Sequence, residues 1–263
     1  MSAETVRPVD ARPDTVIRLR LNKVPEVTAW FWIIKVLTTG MGESTSDFLA
    51  QRLGPIPAVG LAGVVLAFFL VAQLVVRRHI TWLYWTTVVM VSVFGTMAAD
   101  VLHVGLGVPY ALSTTLYAVV LAVIFGAWYA VEGTLSIHSI RTVRREIFYW
   151  ATVMATFALG TATGDLTASS LHLGYLTSGI AFAVLIALPA VAHRWAGLNA
   201  VFAFWFAYVV TRPLGASFAD WGAVSTGRGG LGFGTEAVSI ALALVIACLV
   251  GVMSLTRQGR SAA

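Results

Sequence analysis

One phrase occurs four times at a spacing that never varies: an aromatic residue and Trp, nine residues, Gly, four residues, Asp. The copies are Phe31-Trp32 with Gly42 and Asp47, Tyr84-Trp85 with Gly95 and Asp100, Tyr149-Trp150 with Gly160 and Asp165, and Phe204-Trp205 with Gly215 and Asp220. Every Asp beyond residue 14 belongs to one of these phrases. Self-similarity at a fixed phase dictates the architecture, because one supersecondary unit is repeated. The chain is therefore expected to be four copies of one unit.

Each phrase lies in a long apolar stretch, and a second apolar stretch follows it. Helices are expected near 27–51, 56–76, 80–103, 110–132, 146–170, 174–192, 198–221 and 235–255. Most of them exceed the roughly 20 residues that cross a hydrocarbon core. Only 11% of the residues are charged, against about 25% in an average soluble domain, and the mean hydropathy is +0.84. The expected fold is an all-α integral membrane protein with eight transmembrane helices arranged as four parallel two-helix repeats, near 27–77, 80–132, 146–192 and 198–256. Residues 1–26 are expected to form a flexible cytoplasmic tail and 257–263 a second, short one. The only cysteine, Cys248, excludes disulfides and cysteine metal sites.

Lys and Arg set the orientation. The two terminal tails and the connections between repeats carry thirteen of them, whereas the opposite side has only Arg52 and Arg228. That asymmetry places both termini in the cytoplasm. The pI near 9.7 then reports topology and contact with anionic lipid head groups, not a nucleic-acid partner.

An even number of spans per unit inserts all four repeats the same way, so the symmetry axis runs along the membrane normal. Pseudo-fourfold and two-plus-two arrangements both satisfy this. On a helix, Trp and Asp fifteen residues apart lie within about 60° of each other and about 22 Å apart in height. Trp then falls near the cytoplasmic interface, and Asp falls in the outer third of the membrane. The Gly points about 140° away from the Asp and suits close approach of a neighbouring helix. The outer turns share a Leu-Gly step: Leu53-Gly54, Leu106-Gly107, Leu173-Gly174 and Leu231-Gly232.

The chain resembles a bacterial family of uncharacterised membrane-anchored proteins built from four tandem two-helix repeats, each marked by a tryptophan. The resemblance covers about residues 25–255. It rests on the run from Lys23 to Val27, Phe31-Trp32, Gly42-Glu43, Asp47, Gly160-Thr161, Gly164-Asp165, and the run from Thr211 to Gly215. It implies eight inner-membrane helices and no established activity.

A carboxylate in a spanning helix costs roughly 2.5–3.5 kcal/mol on insertion scales and needs a partner or a purpose. Asp47, Asp100, Asp165 and Asp220, with Glu43 one turn before Asp47, are the candidate ion site, and Arg212 is their candidate counter-ion or permanent ion-pair partner. His103 and His172 are candidate additional metal ligands, because oxygen ligands with one or two imidazoles suit Mn²⁺, Mg²⁺ or Zn²⁺. The same carboxylates suit a proton. Against this stands the reading in which each Asp only satisfies its own outer turn. Lys35 is expected to snorkel to the inner surface. Thr38, Thr39, Ser92, Thr156 and Thr211 either line a path below the acids or bond their own backbone.

The loop from Gly227 to Gly232 matches a dinucleotide fingerprint in letters, but no strand precedes it. No hydrolase, protease or phosphate-binding motif is present, and no enzymatic activity is expected. The expected function is a transporter or channel for a small cation. The alternatives are a scaffold, sensor or lipid-binding protein whose repeats are purely structural, and a carrier of an organic cation that uses the Trp rings for cation–π contact.

Overall fold

The structure is a computed structural model describing residues 22–262. Among these it is all-helical, with eight long helices and no strand. They are α1 (Ala29–Leu53), α2 (Pro55–Val75), α3 (Thr81–Asp100), α4 (Tyr110–Glu132), α5 (Val143–Asp165), α6 (Tyr175–Ala196), α7 (Ala200–Ala223) and α8 (Thr235–Ala262). Six of them are long and apolar enough to cross a membrane; α1 and α5 fall outside that set. Those two carry the extra charges, Lys35, Glu43 and Asp47 in α1 and Arg144, Arg145, Glu146 and Asp165 in α5.

The odd-numbered helices form a closed inner ring in chain order, with α7 packing back on α1. The even-numbered helices lie outside, each packing mainly on the inner helix of the next repeat: α2 on α3, α4 on α5, α6 on α7 and α8 on α1. No repeat buries its own apolar surface, so the fold closes only when the fourth unit meets the first. Two sets of ion pairs follow this pattern. Arg52 of α1 meets Glu236 of α8 at 3.1 Å, and Arg144 and Arg145 of α5 each meet Glu132 of α4 at 2.5 Å.

Two contacts recur around the ring and settle its symmetry as pseudo-fourfold rather than two-plus-two. The aromatic residue before each Trp meets the Trp of the next repeat at a tilt near 50°: Phe31 with Trp85 at 5.5 Å, Tyr84 with Trp150 at 5.7 Å, Tyr149 with Trp205 at 6.2 Å, and Phe204 with Trp32 at 5.6 Å. These tilted geometries are favoured by the ring quadrupoles. Each phrase glycine also faces the residue seven after the Trp of the next repeat: Gly42 faces Ser92, Gly95 faces Phe157, Gly160 faces Arg212, and Gly215 faces Thr39.

The fixed spacing of the phrase is thus the register of one helix against the next. It also corrects the expectation for the tryptophans. Trp85, Trp150 and Trp205 are buried in the ring with neighbouring aromatics against them, and Trp32 is half-buried and lines a cavity. The exposed indoles are Trp30, Trp82 and Trp195.

The Leu-Gly steps have a backbone cause. Gly54, Gly107, Gly174 and Gly232 all have φ between 64° and 84°, a region that side chains with a Cβ rarely adopt. Repeats two and three differ from the others at the outer end, where π-helical turns Val101–Gly105 and Leu166–Ser170 directly follow Asp100 and Asp165. Residues 1–21 of the expected tail lie outside the described residues. From 22 onward the segment is packed: Lys23 is buried and pairs with Glu146 at 2.5 Å, and Val24 joins the core. At the other end α8 runs to Ala262, past the expected end at 255.

Tyr84 and Tyr149 share a hydrogen bond of 2.5 Å between fully buried hydroxyls. Tyr84→Phe is expected to cost about 1–2 kcal/mol, because the Tyr149 hydroxyl stays buried with a partner removed. Equilibrium unfolding in mixed micelles measures it, and an unchanged midpoint would show that the pair adds nothing to the ring.

Candidate functional site

The repeat register decides which side chains share a layer. Eleven residues after the Trp stand Glu43, Thr96, Thr161 and Ala216; fifteen after it stand the four Asp residues. The Asp carboxylates gather at one end of the ring. Each interacts electrostatically with Glu43 and with Arg212, and Asp47, Asp100 and Asp165 also act on one another or on Asp220. Glu43, Asp47 and Asp220 come closest, each offering an oxygen within 4.8 Å of the other two. They belong to repeats one and four, the two without a π-helical turn. All four Asp residues are half-buried, and Glu43 is buried. Arg228, on the outer connection, adds a positive charge felt by Asp47.

The two histidines are not brought to this cluster. His103 lies against Tyr110, with ring centroids 4.3 Å apart, and contacts the Ser113 hydroxyl and the Val108 carbonyl at 3.3 Å. The π-helical turn that carries it directs the ring to the start of α4. His172 is exposed in the outer turn, with φ of 54°.

Arg212 corrects another expectation. Its guanidinium, fully buried, pairs with Glu43 and not with an Asp. It donates to Glu43 Oε2 at 2.5 Å, to Thr161 Oγ1 at 2.7 Å, to Thr96 Oγ1, and to the Thr39 carbonyl at 3.2 Å. Arg212 is eight residues below Asp220 on α7, so it reaches Glu43, the acid set one turn below the others, before it can reach the Asp residues. Gly160 makes room for it: a Cβ there would lie 2.3 Å from Arg212 Cγ and 2.5 Å from its Cβ.

Lys35 does not snorkel. It is buried, with Nζ 4.2 Å from the Phe157 ring centre and 4.3 Å from that of Tyr208, and with no hydrogen-bond partner among the described residues. The ring leaves it no route to the surface, and two aromatic faces take the place of water.

The hydroxyls below the glycines mostly bond backbone. Thr38, Thr156 and Thr211 donate to the carbonyls of Lys35, Val153 and Tyr208, and Thr39 donates to Val36 and, across the seam, to Thr211. Sequence reasoning does not single out Thr96 and Thr161. The signal is present in the register, since both align with Glu43. A cavity of about 510 Å³ lined by Trp32, Ile137, His138, His193 and Phe204 contains none of the acids.

The profile of the family described as Repeat of Unknown Function (DUF347) matches residues 30–79, 83–134, 148–198 and 203–258. These are the four two-helix units of the ring, one match per repeat. No curated protein and no solved structure matches the chain. The chain belongs to the DUF347 repeat family, with four tandem copies closing one pseudo-fourfold bundle.

Proposed function

We propose that the protein is an eight-span inner-membrane transporter or channel for a small cation, with both termini in the cytoplasm and the four Asp residues at its outer entrance. The outer helices support the membrane reading. They expose continuous apolar residues such as Ile56, Val64, Phe68 and Val71 on α2 and Leu112, Val119 and Val123 on α4. In water such a surface would far exceed the few hundred Å² that monomers tolerate. In this reading α1 and α5 also cross the bilayer, with Lys35, Glu43 and Glu146 buried in the protein and Arg52, Arg144 and Arg145 ion-paired near the helix ends. The Lys and Arg asymmetry supports the orientation.

The observation that carries the functional reading is the approach of Glu43, Asp47 and Asp220 within 4.8 Å, with Asp100 and Asp165 electrostatically joined to them. Five carboxylates brought together in a greasy bundle are favourable only when positive charge meets them. Arg212 supplies one such charge; a cation arriving from outside supplies another. The oxygen-only outer set suits a hard divalent ion or a proton as cargo.

The double variant Asp100→Asn with Asp165→Asn tests this. Both substitutions keep size and hydrogen-bonding capacity, so the bundle is expected to remain folded. In proteoliposomes the variant is expected to lose cation and coupled proton flux that the parent chain carries. Flux equal to the parent's would remove Asp100 and Asp165 from the pathway, and a parent chain without flux would leave the scaffold reading standing.

A further inference from the structure

We propose that Glu43, Thr96, Thr161 and the Thr39 carbonyl form a socket for one monovalent, N–H-rich cation of the guanidinium or primary-ammonium class, and that Arg212 fills it as a tethered occupant. The socket is built by the repeat. Repeats one to three each place an oxygen-bearing side chain at the same position of the ring, and repeat four places Ala216 there. The side chain that fills the layer comes from one turn deeper on α7. Its guanidinium meets acceptors from three different repeats: Glu43 at 2.5 Å, Thr161 at 2.7 Å, Thr96, and the Thr39 carbonyl at 3.2 Å.

The charge count selects the ligand class. The socket offers one carboxylate and three neutral acceptors, which balance a single positive charge distributed over several donors. A divalent metal would leave this layer with an uncompensated charge in a low-dielectric core. Below the socket Lys35 Nζ lies between the Phe157 and Tyr208 rings. Above it, Glu43 also belongs to the trio with Asp47 and Asp220. One carboxylate therefore serves both the outer acids and the socket.

A cargo cation that takes Glu43 Oε2 does so in exchange for the guanidinium. Pro213 follows Arg212 inside α7, removes one intrahelical donor and gives the chain a place to bend. The role of the exchange in transport rests on the cation reading above. The existence of the socket does not.

Arg212→Ala, purified in detergent, is to be titrated with millimolar guanidinium chloride and, at matched ionic strength, with sodium chloride, while melting temperature and monodispersity are followed. Guanidinium is expected to restore most of the stability and monodispersity that the variant loses, and sodium is not. In Arg212→Ala with Glu43→Gln the half-saturating guanidinium concentration is expected to rise about tenfold or more, because the charge-assisted bond is gone.

Should Arg212→Ala aggregate, the same titration is to be run on Arg212→Gln, which keeps more of the volume, with guanidinium present from extraction onward. A gain in folded yield specific to guanidinium supports the socket. Equal responses to both salts, or protein that stays aggregated with guanidinium, overturn it. A parent chain that carries no cation flux in proteoliposomes, beside intact guanidinium rescue, would reject the transport reading and keep the socket.

Discussion

Gly215→Ala is expected to abolish assembly of the ring, or to cost about 3 kcal/mol or more where a folded fraction survives, at the upper end of overpacking penalties. A Cβ at this position would lie 2.0 Å from Thr39 Oγ1, 2.6 Å from the Val36 carbonyl oxygen and 2.9 Å from the Gly40 nitrogen. The last two are backbone atoms in the middle of α1, so no rotamer change relieves them. Gly40 faces back across the same seam, where its own Cβ would stand 3.0 Å from the Gly215 carbonyl. The only relief is for α1 and α7 to separate. That breaks the bond from Thr39 to the Thr211 carbonyl at 3.0 Å and draws Arg212 away from Glu43.

The outer helices provide the control. A methyl added at Gly60 or Gly126 would have nothing within 4 Å of it, so Gly60→Ala and Gly126→Ala are expected to leave stability unchanged or raise it by about 0.5–1 kcal/mol through helix propensity. Size-exclusion profiles and thermal unfolding in one detergent compare the three variants. A Gly215→Ala protein that melts with the parent would show that the phrase glycine is not a contact residue.

Glu43→Ala is expected to cost about 3–5 kcal/mol, the range for removing one partner of a buried ion pair. The Arg212 guanidinium has no exposure, and its remaining acceptors, Thr96, Thr161 and the Thr39 carbonyl, are all neutral. Nor can the Asp residues above replace Glu43 at no cost, because Arg212 would have to climb one further turn inside a closed ring. The companion variant, Glu43→Gln with Arg212→Met, removes both charges and keeps the volume. It is expected to recover much of the loss, since the penalty belongs to the orphaned cation and not to the missing bond. A double-mutant cycle isolates the coupling. Additive losses would mean that the two groups do not depend on one another.

Much of the site is legible in the spacing alone. The interval of fifteen residues puts the four Asp residues at one height, and the interval of ten assigns the glycines to helix contacts; Gly215 against Thr39 and Gly42 against Ser92 are such contacts. Lys35 escapes this logic because a one-dimensional view of the helix offers it the nearer surface, and the neighbours that enclose it, Phe157 and Tyr208, come from repeats three and four. Arg212 departs from its expected Asp partners for a similar reason. Distance along α7 points to Asp220, whereas distance across the ring selects Glu43. His103 and His172 are near Asp100 and Asp165 in sequence, but a π-helical turn and a tight turn carry them elsewhere.

The sequence by itself determined the unit, its fourfold repetition, its helical character and the common height of the acids, because helix rise and spacing are local properties of one chain segment. Only the tertiary structure decided that the units close in a ring, that each outer helix serves the next repeat, and that Arg212 meets Glu43. Those outcomes depend on which helices become neighbours. Packing between segments far apart in the chain settles that, and no interval within a single helix encodes it.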